Sequence, residues 1–145
     1  MYRDMEQSKI KLIVANYSEY PGPRYCSQGN SSGEDFYHDI LNTAFANAIK
    51  SKQKLEVILD GTAGYASSFL DEAFGNLVFD FSFKMVKDNI TIISKQEPDW
   101  EKMIIEEVFN DWELRRNENH NPRKTKEHSE WFRYSDGKII KKIWL

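Results

Sequence analysis

Two serines, Ser67 and Ser68, stand between a loop of small residues, Gly61 to Ala66, and a long amphipathic run. A helix start has free backbone N–H groups and the positive end of the helix dipole. A phosphate on either serine, or a bound anion, would be stabilised there. The plainer reading makes Ser68 the N-cap, with Ser67 packed beside it. Both readings stay open on spacing alone.

A second group lies in the stretch GPRYCSQGNSSGED. Arg24 could pair with an anion, and Ser31, Ser32, Gly33 and Glu34 precede another helix start. A phosphate held there would make this a small-ligand or nucleotide-binding loop. It is not a Walker loop, because the GK[ST] ending is missing. The plainer reading is a long structured turn with an ordinary cap.

Metal and acid–base chemistry find less support. His38, His120 and His128 show no zinc-ligand spacing with one another or with Cys26, so neither a metal nor a cofactor is expected. Cys26 has no histidine partnered with it in sequence, which leaves a thiol nucleophile unsupported. His38 reads as half-exposed on its helix. Asp71, Glu72 and Asp80 read as a solvated helix face. No nucleophile with a base and no complete phosphate loop can be assembled, so an enzyme is not expected.

These residues need elements to hold them. Ile10 to Tyr17 is β-branched and apolar enough for a strand. Glu19 to Gly33 is a long Pro- and Gly-bearing loop. Ser31 with Glu34, and Ser32 with Asp35, have capping-box spacing. From Phe36 to Ile49 apolar residues recur in pairs every four residues, the stripe of a helix. Leu55–Leu59 is a short apolar strand, expected to be covered on both faces. The helix after Ser67 and Ser68 would bury Phe69, Leu70, Ala73, Phe74, Leu77, Val78 and Phe81. Asp71 and Glu72 would occupy its first turn. Gly75 inside it costs ~1 kcal/mol against alanine, which points to close packing.

Asn89 to Ser94 predicts a third strand, and Trp100 to Arg116 a third long helix. Asn117 to Ser129 is polar, a linker. Trp131 to Leu145 predicts a hairpin turning at Ser135-Asp136-Gly137. The strand–helix alternation argues for an α/β fold: one mostly parallel or mixed sheet packed with helices, plus a C-terminal hairpin-like appendage.

Composition bounds the function classes. The chain has 145 residues, of which 40% are hydrophobic, enough for a core, and a net charge of −3. That balance carries no nucleic-acid footprint. The charge is uneven: from Glu118 onward seven Lys and Arg face four acids, a net +3. Aromatic residues Trp131, Phe132, Tyr134 and Trp144 interleave with that basic tail, a pattern able to bind single strands. Packing of the hairpin on the body is the favoured alternative, and nucleic acid is not the expected partner. The aromatic tail also leaves a homodimer open. No apolar run reaches the ~20 residues of a membrane helix. The opening residues MYRDMEQSKI have no apolar signal core, and a single cysteine fits a reducing cytoplasm.

GPR, then SGE, then DG…SSFLDEAFGNL together resemble the STAS-like family of bacterial domains of unknown function, from about Ile10 to Ile93. The resemblance sets a STAS-like domain at 1–117 and a basic, aromatic extension at 118–145. It is related to the anti-sigma factor antagonists, where a serine opening a helix is phosphorylated by a partner kinase of the histidine-kinase-like ATPase type. By that resemblance Ser67 takes the phosphoserine position with Ser68 beside it. Asp60, Gly61, Tyr65, Asp71 and Glu72 would line the partner surface. Ala66 stands where the antagonists have aspartate, and Phe69 where they have glycine. The expected role is a regulatory, non-enzymatic interaction domain.

Overall fold

The structure is a computed structural model and describes residues 8–145. The reading of the extreme N-terminus concerns residues of which 1–7 lie outside those described.

Three strands, β1 (Lys9–Ile13), β2 (Lys54–Ile58) and β3 (Ile90–Ile93), form a parallel sheet in the order β1-β2-β3. Ile10 pairs with Leu55 and Leu55 with Ile90; Leu12 pairs with Val57 and Val57 with Ile92. Strand side chains alternate between faces. These two rows therefore share one face and feed the core, where Leu55, Val57, Ile90 and Ile92 are buried.

The first strand is shorter than its composition suggests. It stops at Ile13, and Val14–Tyr17 turn into a short helix, α1, with Val14 fully buried. The sheet is also not covered equally. Lys9, Lys11 and Ile13 of β1 remain exposed on the second face.

Helix α2 spans residues 33–50 and α3 is Ser67–Phe81. A π-helical stretch, Tyr37–Leu41, interrupts α2. Ser32 caps it, its Oγ accepting from the Asp35 N–H at 3.0 Å. Helix α3 begins two residues earlier than a Ser68 cap would place it. Ala66 is its N-cap, without a side-chain hydrogen bond, so Ser67 and Ser68 are its first two residues. Asp71 and Glu72 consequently fall in the second turn, beyond the first.

A short helix, α4 (Phe83–Asn89), leads into β3; the sequence reading assigns no element there. Helix α5, residues 98–117, carries a second π-helical stretch, Ile104–Val108. It crosses α3 at Gly75. A Cβ on Gly75 would come 2.1 Å from the Trp112 ring, so close packing is the reason for this glycine.

Strands β4 (Trp131–Ser135) and β5 (Lys138–Lys142) form an antiparallel hairpin, turning at Asp136-Gly137. Gly137 has φ +80°, which favours glycine. The hairpin packs on the body: Trp131 and Phe132 are buried, and Asn42 clamps Phe132 by accepting its N–H at 2.8 Å and donating to its carbonyl at 2.9 Å.

Candidate functional site

The surface around the start of α3 is built by three segments. Loop 59–66 leaves the carboxyl end of β2. Asp60 accepts the N–H groups of Lys95 and Gln96, and Gln96 Oε1 accepts the Gly61 N–H at 2.9 Å. The loops after β2 and β3 are thereby tied together. Tyr65 closes the turn by donating to the Leu59 carbonyl at 2.7 Å. Burial pushes its phenol up to about 12. A small cavity of about 190 Å³ lies here, lined by Asp60, Tyr65, Ser94 and Trp100 among others. It sits outside the carboxyl ends of two parallel strands, where open α/β sheets present their sites.

Beside it, Ser67 is exposed at the first position of α3. It lines a groove of about 200 Å³ with Arg24, Asp71, Met103, Glu107 and Asp111. Arg24 reaches across from loop 18–32 and donates to Asp71 at 2.6 Å and Glu72 at 3.2 Å. Trp112 Nε1 donates to the other Asp71 oxygen at 3.0 Å. Ser67 thus faces three acids, with one cation already engaged by two carboxylates.

Of the residues expected on a partner surface, Gly61 is exposed, while Asp60, Tyr65 and Asp71 are half-buried. Glu72 is 1% exposed and supports the wall from behind. The solvated-face reading of the helix acids is overturned for Glu72 and Asp80, because both are buried at one-turn spacing with Asn76 between them. Lys124 Nζ donates to Asn76 Oδ1, Asn76 donates to Glu72, and Arg133 Nε donates to Asp80 at 2.7 Å. Tyr37 also donates to Asp80. Burial pushes the Glu72 and Asp80 carboxyls up, against the pull of Asn76 and Arg24 on the first and of Arg133 and Lys124 on the second. Burial likewise pushes the Lys124 ammonium down, against the acids. The basic tail therefore spends Lys124 and Arg133 on this buried stripe. Lys126 pairs with Asp35 at 2.7 Å.

The Arg24 loop has a different job from the one its composition suggests. The first four N–H groups of α2 are all taken: Gly33 bonds the Pro23 carbonyl, Glu34 the Arg24 carbonyl, Asp35 the Ser32 hydroxyl and Phe36 the Ser32 carbonyl. Ser32, Gly33 and Glu34 are buried, and Ser31 sits at φ 55°. A phosphate expected at this helix start finds no free donors in those groups, and Arg24 is committed to α3.

Sequence spacing also hides a cluster. Cys26, Glu34 and His128 bring their ligand atoms within 4.8 Å of one another. Glu34 is fully buried; it accepts from Cys26 N, Thr125 N, Thr125 Oγ1 and, at 2.6 Å, faces His128 Nε2. Burial alone would raise its carboxyl, but the hydrogen bonds from Thr125 and His128 prevail and lower it to about 2. His38, expected half-exposed, is only 9% exposed and stacks on His128 with ring centroids 3.8 Å apart. Burial, with Lys124 and His128 nearby, lowers His38 to about 2. Burial raises the Cys26 thiol to about 12, and Ser32 Oγ donates to its sulfur at 3.4 Å. A thiol so protonated is not an activated nucleophile.

Residues 32–100 match the family model of a STAS-like domain of unknown function. That segment runs from the Ser32 cap to the first turn of α5 and includes Ser67. No curated protein and no solved structure matches the chain. Among the described residues no helix is long and apolar enough to cross a membrane.

Proposed function

We propose that this chain, whose residues 32–100 match the family model of a STAS-like domain, is a non-enzymatic regulatory domain. It binds a protein partner of the histidine-kinase-like ATPase type through loop 59–66 and the start of α3. The observation that carries this reading is the setting of Ser67. It is exposed at the first position of α3, in a groove with Asp71, Glu107, Asp111 and Arg24.

Charge added at Ser67 acts there in two ways. It repels the three acids, and it competes with Asp71 for Arg24. Because Arg24 bridges α3 to loop 18–32, the change is transmitted to that loop as well. Phosphorylation by the partner itself would make the contact self-limiting.

The experiment is a capture from native lysate with ATP present. The chain is compared with its Ser67→Asp, Ser68→Asp double variant, and bound proteins and the serine peptide are identified by mass spectrometry. The reading expects an ATPase held by the unmodified chain and lost by the variant, with phosphate on Ser67. Equal retention of the ATPase by both, or its absence from both, contradicts it.

A further inference from the structure

We propose that Cys26, Glu34 and His128 form a site for one divalent transition-metal ion of the zinc or cobalt class. The three donors come from three separate stretches: the 3-10 turn Cys26–Gln28, the start of α2, and the segment before β4. Their ligand atoms already lie within 4.8 Å of one another. The Glu34 residue is fully buried and the His128 side chain is 3% exposed. Bonds of about 2.3 Å to sulfur and about 2.0–2.2 Å to nitrogen and oxygen place tetrahedral donors roughly 3.3–3.8 Å apart. To reach that spacing the Glu34–His128 pair would open from 2.6 Å, with the sulfur starting within 4.8 Å of both.

The donor set selects the ion. Thiolate with imidazole suits zinc and its neighbours, whereas magnesium and calcium take oxygen ligands. On loading, the Cys26 thiol proton leaves to solvent. Thiolate and carboxylate then balance a divalent charge, so the buried centre is neutral. Outer contacts that orient such ligands are in place. Thr125 holds Glu34 through its N–H and hydroxyl, Ser32 holds the sulfur, and His38 stacks on the His128 ring. A cavity of about 680 Å³, lined in part by Thr125, Lys126, His128 and Trp131, opens on the His128 side of the cluster. The ion would fasten the segment before β4 to the family-matched domain. This does not rest on the Ser67 reading.

The test uses the tag-free, chelator-treated chain titrated with cobalt(II). One equivalent is expected to produce a thiolate-to-cobalt charge-transfer band, to be displaced by zinc(II), and to raise Tm. Cys26→Ser is expected to abolish the band. Both Cys26→Ser and His128→Gln should weaken binding by more than the ~10–100-fold that loss of an outer contact costs. His120→Gln, at an exposed histidine, should change neither. Should the variants fold poorly, the unaltered chain still decides: zinc should slow alkylation of Cys26. No thiolate band, equal binding by Cys26→Ser, or alkylation indifferent to zinc overturns the proposal.

Discussion

Helix α3 handles charge in opposite ways along its length. Near its start, Asp71 lines an open groove with Ser67, and its ion pair with Arg24 is about as exposed on one side as on the other, at 28% and 29%. Further along, Glu72, Asn76 and Asp80 lie on one buried stripe, closed over by Lys124 and Arg133 from the basic tail. A charge in water costs little to add or remove, so the first region can be switched. A buried charge whose partner is removed costs several kcal/mol, so the second region is fixed. The same residue types are thus open to a change of charge where solvent reaches them and fasten the tail where it does not.

The largest expected effect breaks the fastening. Asp80→Ala leaves Arg133 and Tyr37 without their shared acceptor, and should cost about 3–5 kcal/mol in urea unfolding. A loss below about 1 kcal/mol would mean the tail is held by its apolar contacts alone. Next is the seam between α3 and α5. Gly75→Ala forces a methyl group into the Trp112 ring and should cost about 2–3 kcal/mol. Because Trp112 also holds Asp71, the same substitution should weaken partner binding as well.

At the open end, Ser67→Asp should change stability by less than about 1 kcal/mol, since the side chain is exposed. Smallest is an alkaline effect at Tyr65, whose folded pKa of about 12 lies above the ordinary value of 10. With the folded value raised, its contribution is complete below pH 10 and is lost as pH rises toward 12. Tyr65→Phe should flatten stability across that window relative to the unaltered chain. Parallel curves would show that the Leu59 contact does not hold the loop.

Much of the fold was legible where local pattern and tertiary role agree. The Phe36–Ile49 stripe, the Gly75 packing and the Asp136-Gly137 turn follow from periodicity, a helix glycine and turn chemistry. Val14–Tyr17 was not legible: it continues the apolar run from Ile10 and so reads as strand, yet Val14 is buried in a helical turn. The π-helical stretches leave no mark in a 3.6-residue pattern. The helix acids misled because periodicity shows which residues share a face but not what a distant segment lays over it. Lys124 and Arg133 reach that stripe from 48 and 53 residues away. The Cys26, Glu34 and His128 cluster was hidden for the same reason, since His128 meets Glu34 across 94 residues. Ser67 and Ser68 stand at a helix start as their spacing suggests, but as helix residues following an Ala66 cap.

On the proposed reading, charge at the start of α3 controls binding without altering the fold. The most direct measurement is the affinity of the proposed ATPase partner for the unaltered chain and for Ser67→Asp, with the stability of both determined in the same buffer. The prediction is a fall in affinity of at least about tenfold, equivalent to about 1.4 kcal/mol, with stability unchanged within about 1 kcal/mol. Equal affinities, or a loss of affinity matched by a loss of stability, would contradict it.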